Sequence, residues 1–123
     1  MQVESTGIAL YVGTELGGRW WKRYRAPGFF ARGRGRFWFQ DGELRFHREL
    51  TKELTRIPLD RIREVSIGTW HAGKWLARRP IVKLAWEDGG ERLSSGFGFG
   101  DRASADAFVA AVEERRRRAD GAS

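Results

Sequence analysis

The chain has 123 residues, 41% of them hydrophobic, and its 23 lysines and arginines outnumber 16 acids, which gives a formal net charge of +7. This length suits one compact domain with its own core and leaves little room for a second module. Because the chain contains no cysteine, disulfides and thiolate metal sites are excluded. Its apolar runs, such as residues 8–12, are far shorter than the roughly 20 residues that span a bilayer.

The first predicted element is a strand at residues 7–12, in an apolar run that includes β-branched and aromatic side chains. The N-terminal segment, residues 1–13, has neither a charged leader nor a long apolar core. We therefore expect no secretory signal peptide. The expected location is the cytoplasm, with peripheral association to a membrane if the basic stretch that follows contacts lipid.

That basic stretch, residues 17–36, reads GGRWWKRYRAPGFFARGRGR and is the most unusual segment of the chain. It holds seven lysines and arginines, five aromatic residues and no acid, whereas the two signs of charge balance elsewhere. A localised positive field favours phosphates, acidic lipid surfaces or nucleic acid. The alternative is an ordinary basic surface with packed aromatics, in a chain where arginine outnumbers lysine 19 to 4; such a bias leaves the missing acids unexplained.

Two Asp-Gly pairs mark the turns of predicted β-hairpins. Asp41-Gly42 lies between the aromatic-rich runs of RFWFQDGELRF, and Asp88-Gly89 lies within VKLAWEDGGERLSSGF. Asp-Gly tolerates the positive φ angles of tight primed turns, so each pair predicts a hairpin. Alternation along the strands groups apolar residues on common faces: Phe37 with Phe39, Leu44 with Phe46, Val82 with Leu84 and Trp86, and Leu93 with Phe97 and Phe99.

Between the hairpins, LTRIPLDRIREVSIG predicts two strands with a bend at residues 58–60. The following segment, GTWHAGKW at residues 68–75, places His71 and Lys74 between two tryptophans. Exposed aromatics beside a cation can line a pocket or meet a partner. The alternative for this segment is a hairpin-like connection whose tryptophans shield one end of the fold.

After Gly100 the apolar period becomes helical, which predicts one C-terminal helix. Asp101 or Ser104 can cap it. Its apolar face comprises Ala105, Phe108, Val109 and Val112, and its expected i,i+4 ion pairs are Glu113–Arg117 and Glu114–Arg118. Residues 1–118 are predicted to form one domain, and residues 119–123 a frayed tail.

The order of these segments resembles the pleckstrin-homology (PH) superfamily, including its bacterial and GRAM-type members, over most of residues 36–116. RFWFQDGELRF is similar to the family's second and third strands, in which an aromatic strand turns at Asp-Gly into Leu-x-Phe. IPLDRIREV is similar to the next pair of strands, and DRASADAFVAAVEE to the final helix. The resemblance implies a mainly β fold, a PH-like bent barrel of about seven antiparallel strands capped by one C-terminal α-helix.

In lipid-binding relatives, basic side chains on and beside the loop that joins the first two strands hold inositol phosphates. If residues 7–12 form the first strand here, that loop contains the whole basic stretch. We therefore expect a non-enzymatic binding module for an anionic partner, most concretely an acidic membrane surface or phosphate group. The candidate contact residues are Arg19, Trp20, Trp21, Lys22, Arg23, Arg25, Trp70, His71, Lys74 and Trp75.

Two other partner classes remain open on the sequence alone. The same aromatics and arginines could form a protein–protein or self-assembly interface, and the domain would then be a homo-oligomer or bind another protein. Non-specific nucleic-acid binding is the third alternative. Residues 95–101, SGFGFGD, resemble the centre of the RNP1 motif of RNA-recognition domains. RNA recognition is disfavoured because that motif requires a lysine or arginine, a valine and an aromatic residue where this chain has Ser95, Gly100 and Arg102.

Catalysis finds little support in the residues. The chain has two histidines, and neither has a Glu-x-x-His partner, so no usual metal site is expected. It contains no Gly-x-Ser-x-Gly elbow and no P-loop lysine. The glycines at 96, 98 and 100 do not indicate a dinucleotide loop, because no strand follows the helix. We expect no cofactor and no metal.

Overall fold

The structure, a computed structural model, describes residues 6–17, 19–23, 33–49, 54–71, 74–75 and 79–121. A 3-10 turn at Leu59–Arg61 joins the fifth and sixth strands. The strands and the helix are β1 (Thr6–Leu16), β2 (Arg19–Arg23), β3 (Gly33–Gln40), β4 (Glu43–Arg48), β5 (Leu54–Pro58), β6 (Ile62–Gly68), β7 (Trp70–His71), β8 (Lys74–Trp75), β9 (Ile81–Asp88), β10 (Glu91–Gly98) and α1 (Arg102–Gly121).

Seven of these strands form one antiparallel sheet in the order β5-β4-β3-β1-β10-β9-β6, with β2 paired to β1 beside this path. The predicted fold class, mainly β with about seven antiparallel strands and one C-terminal helix, is confirmed. The pairing is that of an open sheet whose edges are β5 and β6. The short strands β7 and β8 pair with each other as a separate hairpin.

The long first strand joins the two halves of the sheet. Residues 6–11 of β1 pair with β3, whereas residues 10–16 pair with β10. The register with β10 shifts between Tyr11 and Gly13, and Gly13 has a φ of 115°. Glycine adopts this angle without steric cost, and a bulge bends and twists its strand. β1 therefore turns from one half of the sheet into the other.

Both predicted hairpins form, but the turn of the second differs by one residue. Asp41 and Gly42 have φ angles of 52° and 74°, and Gln40 pairs with Glu43 across them. In the second hairpin Asp88 pairs with Glu91, so the turn residues are Gly89 and Gly90, at 58° and 86°. Glycine reaches positive φ more easily than aspartate, so the Gly-Gly pair takes the turn.

The predicted bend at residues 58–60 is the 3-10 turn, and the predicted alternation is confirmed by burial. Phe39 is partly buried against the core. The other predicted strand residues on the apolar faces are buried: Phe37, Leu44, Phe46, Val82, Leu84, Trp86, Leu93, Phe97 and Phe99.

The helix covers this apolar surface through Ala105, Phe108 and Val112, which are buried. Phe108 is the centre of an aromatic cluster. Its ring centroid lies 4.8 Å from that of Phe37, 5.0 Å from Phe99 and 5.7 Å from Phe97. Such tilted and edge-on ring pairs add specific attraction to the burial of apolar area.

The core also contains a chain of buried hydroxyl groups. The Thr14 hydroxyl hydrogen-bonds with the Tyr11 hydroxyl and with Ser95 Oγ, both at 2.6 Å. Trp86 Nε1 donates to the same Ser95 oxygen at 3.0 Å. Buried polar groups without partners are costly, so this chain allows Thr14 and Ser95 to lie inside an apolar core.

Asp101 caps the helix, and it is one of the two capping residues that the sequence predicted. Its Oδ1 accepts a hydrogen bond of 2.7 Å from the backbone N–H of Ser104. At the other end, Glu114 pairs with Arg118 as predicted, at 3.0 Å. The predicted Glu113–Arg117 pair does not form, because Glu113 pairs with Arg116, which also donates to the Ile62 carbonyl at 3.0 Å. α1 continues to Gly121, into the predicted tail.

The Asp101 cap predicts a pH dependence of stability. The hydrogen bonds from the Ser104 backbone and side chain lower the pKa of Asp101 in the folded state. A depressed carboxyl pKa contributes stability above the unfolded-state pKa, and this contribution is lost as the pH falls through the folded-state value. Asp101→Ala should therefore lower the melting temperature by a few degrees at pH 7, and the difference from wild type should shrink below about pH 4. Thermal scans by circular dichroism between pH 7 and pH 2 measure it; a constant difference would contradict the cap's role.

Candidate functional site

The basic stretch, residues 17–36, which the resemblance places between the first two strands, is partly regular structure. β1 continues to Leu16, Gly17 has a φ of 59°, and Arg19–Arg23 form strand β2 antiparallel to the end of β1. The stretch re-enters regular structure at Gly33, the first residue of β3. The β2 backbone takes part in the sheet because a glycine turn lets the chain fold straight back on β1.

β2 and β3 lie along the same edge of β1. At Glu15 the partners of β1 are Ser94 of β10 on one side and Arg23 of β2 on the other. At Leu10 they are Gly98 of β10 and Arg34 of β3. Since β10 occupies one edge throughout, β2 and β3 share the opposite edge. The described basic residues of the stretch therefore follow one another along a single strand edge.

The structure brings five of the ten predicted contact residues together and separates four others from them. Arg19–Arg23 form one strand, with Arg19 opposite Leu16 of β1. Trp70–His71 and Lys74–Trp75 form the β7–β8 hairpin directly after β6. β6 ends at Gly68, which pairs with Ile81 of β9. Ile81 pairs with Gly98 of β10, and Gly98 pairs with Leu10 of β1, so the end of β6 lies level with Leu10. Six residues of β1 correspond to about 20 Å, so the two groups attach at different levels of the sheet.

The side chains of these nine residues, and all of Arg25, lie outside the described part of the structure. Their contacts with a ligand therefore stay a prediction. What the backbone contributes is their arrangement: a basic, tryptophan-containing strand at the end of β1, and a separate hairpin with two paired tryptophan positions.

A groove of about 580 Å³ lies on the outward face of β1, β3 and β4. Ile8, Arg36 and His47 are direct neighbours across the three strands, and Trp38 lies two residues further along β3. Ile8 is 48% exposed and is the only large hydrophobic residue classed as exposed in the described part of the chain. This face therefore combines an exposed aliphatic side chain, an indole and a guanidinium.

The charges around this groove are unevenly paired. Arg34 lies 3.8 Å from Glu49, and Arg45 lies 2.9 Å from Glu43 and 3.4 Å from Asp41. Within the ranges that the structure describes, Arg36 has no ion pair. Arg36 is thus a cation of this groove that no described acid neutralises.

The sequence model of the family described as bacterial PH domain-like matches residues 2–113, from before β1 to well inside α1. The chain belongs to this family. No curated protein matches the chain, and no solved structure does. The resemblance to the PH superfamily is thereby confirmed. PH-like domains are generally non-catalytic binding modules, which is the coarse function that membership supports.

No cluster of three or more histidines and acids with metal-binding geometry occurs among the described residues. No helix in the described part of the chain is both long and apolar enough to cross a membrane. The described surface places arginines beside an exposed aliphatic side chain and an indole.

Sequence reasoning did not select the residues of the groove in this PH-like domain. The alternation that groups Phe37 with Phe39 leaves Trp38 on the opposite face, and no sequence pattern singles out the exposed His47 as a site residue. The available signal was the alternation of Arg34, Arg36 and Trp38 along one strand. Ile8 could not be added, because its pairing with Arg36 joins positions 28 residues apart in the chain.

Proposed function

We propose that this PH-like domain binds an anionic partner through the basic stretch, and that the partner is an acidic membrane surface. The supporting observation is that the two described arms of the stretch, β2 and β3, lie in line along one edge of β1. The stretch contains seven basic residues and no acid. A surface of one sign placed along one edge attracts a planar surface of the opposite sign.

The energetics favour a reversible contact. Each lysine or arginine near an acidic membrane surface contributes about 1 kcal/mol. Arg19, Lys22, Arg23 and Arg25 would together hold the domain at the surface without making the attachment permanent. Trp20 and Trp21 would anchor beside them, because an indole favours the boundary between headgroups and acyl chains.

The β7–β8 hairpin is proposed as a second, weaker contact. It carries Trp70, His71, Lys74 and Trp75, again aromatics beside cations. Because it leaves the sheet at a different level from β2, it would touch the membrane only if the domain lies with the long direction of β1 close to the surface.

Co-sedimentation with vesicles tests the proposal. The protein should pellet with vesicles that contain acidic lipid, remain in solution with neutral vesicles, and be released when the salt concentration is raised from 50 to about 500 mM, because salt screens surface charge. The double variant Arg23→Glu/Arg25→Glu should lose at least nine-tenths of the binding. The matched control is Arg56→Glu/Arg79→Glu, which makes the same change of net charge at two exposed positions outside the stretch.

The control separates a located site from a general effect of charge. Equal loss in both double variants would mean that only net charge matters, and the proposal would be wrong. Absence of binding to every vesicle would also refute the membrane as partner. The aromatic and basic residues would then be assigned to a protein interface, for which static light scattering at several concentrations detects self-association.

A further inference from the structure

We propose that the groove on the outward face of β1, β3 and β4 is a binding site for a small amphipathic anion. In this site the acidic head of the ligand contacts Arg36, and its apolar part packs on Ile8 and Trp38. The inference goes beyond the proposed membrane contact, because it needs neither β2 nor a membrane. Ile8 lies eight residues, or about 25 Å, along β1 from Leu16, where β2 is paired.

The apolar half of the site is formed by Ile8 and Trp38. Ile8 is about half exposed on a sheet whose other large aliphatic side chains, within the described ranges, are buried or partly covered. Trp38 Nε1 donates to Gln40 Oε1 at 3.1 Å, so the polar atom of the indole is already paired. The remaining surface of the ring is apolar and lies in the wall of the groove. An apolar group that covers Ile8 would be removed from water together with it.

The charged half of the site is Arg36. Its neighbours across the strands are Ile8 and His47, neither of which is an acid. Among the described residues that line the groove, Glu49 is the only acid. It forms an ion pair with Arg34 at 3.8 Å, and its backbone N–H donates to the Arg34 carbonyl at 2.9 Å. A guanidinium with free donors binds phosphate or carboxylate with two parallel hydrogen bonds.

The size of the groove favours a discrete molecule over a surface. Its volume of about 580 Å³ falls within the range of roughly 300–1,000 Å³ that is usual for small-molecule sites. A flat bilayer would meet the rim of such a groove, whereas a free molecule can enter it. Of the seven described lining residues, three are apolar or aromatic and four are polar or charged, so the groove offers both kinds of contact to an amphipathic ligand.

Isothermal titration calorimetry with three probes tests the proposal. Hexyl phosphate carries both halves of the expected ligand, whereas inorganic phosphate carries only the acid and hexanol only the apolar part. We expect hexyl phosphate to bind at least tenfold more tightly than either control. Chemical-shift changes in ¹⁵N NMR spectra should be centred on Ile8, Arg36 and His47, which are adjacent in the sheet.

Variants locate the two halves of the site. Arg36→Gln and Ile8→Ser should each weaken hexyl phosphate binding at least tenfold. Both positions are solvent-exposed, so the fold should be retained, which far-ultraviolet circular dichroism checks. Arg56→Gln is the matched control, because Arg56 is an exposed arginine on β5, two strands from β3, and it should leave binding unchanged.

The outcomes also keep this site distinct from the membrane contact. The membrane variant Arg23→Glu/Arg25→Glu should bind hexyl phosphate as wild type does, so failure of one proposal leaves the other standing. Because Arg36 also belongs to the basic stretch, the uncharged change Ile8→Ser distinguishes the sources of the ligand. Loss of vesicle binding in Ile8→Ser would identify a membrane lipid as the source of the amphipathic anion, whereas unchanged vesicle binding would identify a free molecule. Equal binding of hexyl phosphate by wild type and Arg36→Gln, or equal binding of the three probes, would overturn the inference.

Discussion

Phe108→Ala is expected to lower the free energy of unfolding by about 3–5 kcal/mol, which is the usual loss when a buried phenylalanine is truncated. Phe108 is 2% exposed and contacts the rings of Phe37, Phe97 and Phe99. It links α1 to the sheet through these three rings, which would border the cavity left when its own ring is removed. Since a domain of this size is stable by only about 5–15 kcal/mol, the variant should be close to unfolding at 37 °C.

Urea denaturation monitored by tryptophan fluorescence measures this loss as a lower midpoint with an unchanged slope. Val109→Ala is the matched control, because Val109 is the next residue of the helix and only partly buried. It should cost about 1 kcal/mol. Similar losses in both variants would mean that α1 does not close the core through Phe108.

Gly35→Ala is expected to cost about 3 kcal/mol, although most changes from glycine to alanine in a strand are mild or favourable. A Cβ at this position would overlap the His47 carbonyl oxygen and lie 2.8 Å from the Cα of Arg48. Both are backbone atoms of β4, the strand to which β3 pairs. They can make room only if the hydrogen-bonded pair of strands opens, which is why the cost is high.

Gly100→Ala is the matched control for this variant. A Cβ at Gly100 would have no atom within 4 Å, and the residue does not have the positive φ that only glycine tolerates easily. Its effect on the urea midpoint should therefore be small, within about 0.5 kcal/mol. A stable Gly35→Ala protein with an unchanged midpoint would show that β3 and β4 approach less closely at this point.

Much of the fold follows from local patterns. Alternation identified the buried faces of β3, β4, β9 and β10, and the Asp-Gly pairs identified both hairpins. Helical periodicity after Gly100 identified α1 and two candidate caps, Asp101 and Ser104, of which Asp101 is the one that forms. These features depend on residues two to four positions apart, whose physical preferences are present in the sequence itself.

Other features were missed because they depend on competition between nearby alternatives. The second turn uses Gly89-Gly90 in place of Asp88-Gly89, since two glycines adopt the required angles more easily. Glu113 pairs with Arg116, whose guanidinium is already positioned by the Ile62 carbonyl. No local pattern predicted strand β2 within residues 17–36; it forms because its pairing with β1 satisfies backbone groups that a loop would leave to water.

The sequence by itself therefore determined the fold class, the hairpins, the apolar faces and the capped helix, because each is encoded by short-range periodicity and turn chemistry. Only the tertiary structure decided that β2 and β3 share one edge of β1, and that Ile8, Arg36 and His47 meet in one groove. Arg36 and His47 belong to one predicted hairpin, but Ile8 comes from a strand 28 residues before Arg36. The register between β1 and β3 is set by the pairing of whole strands, which no local pattern of residues contains.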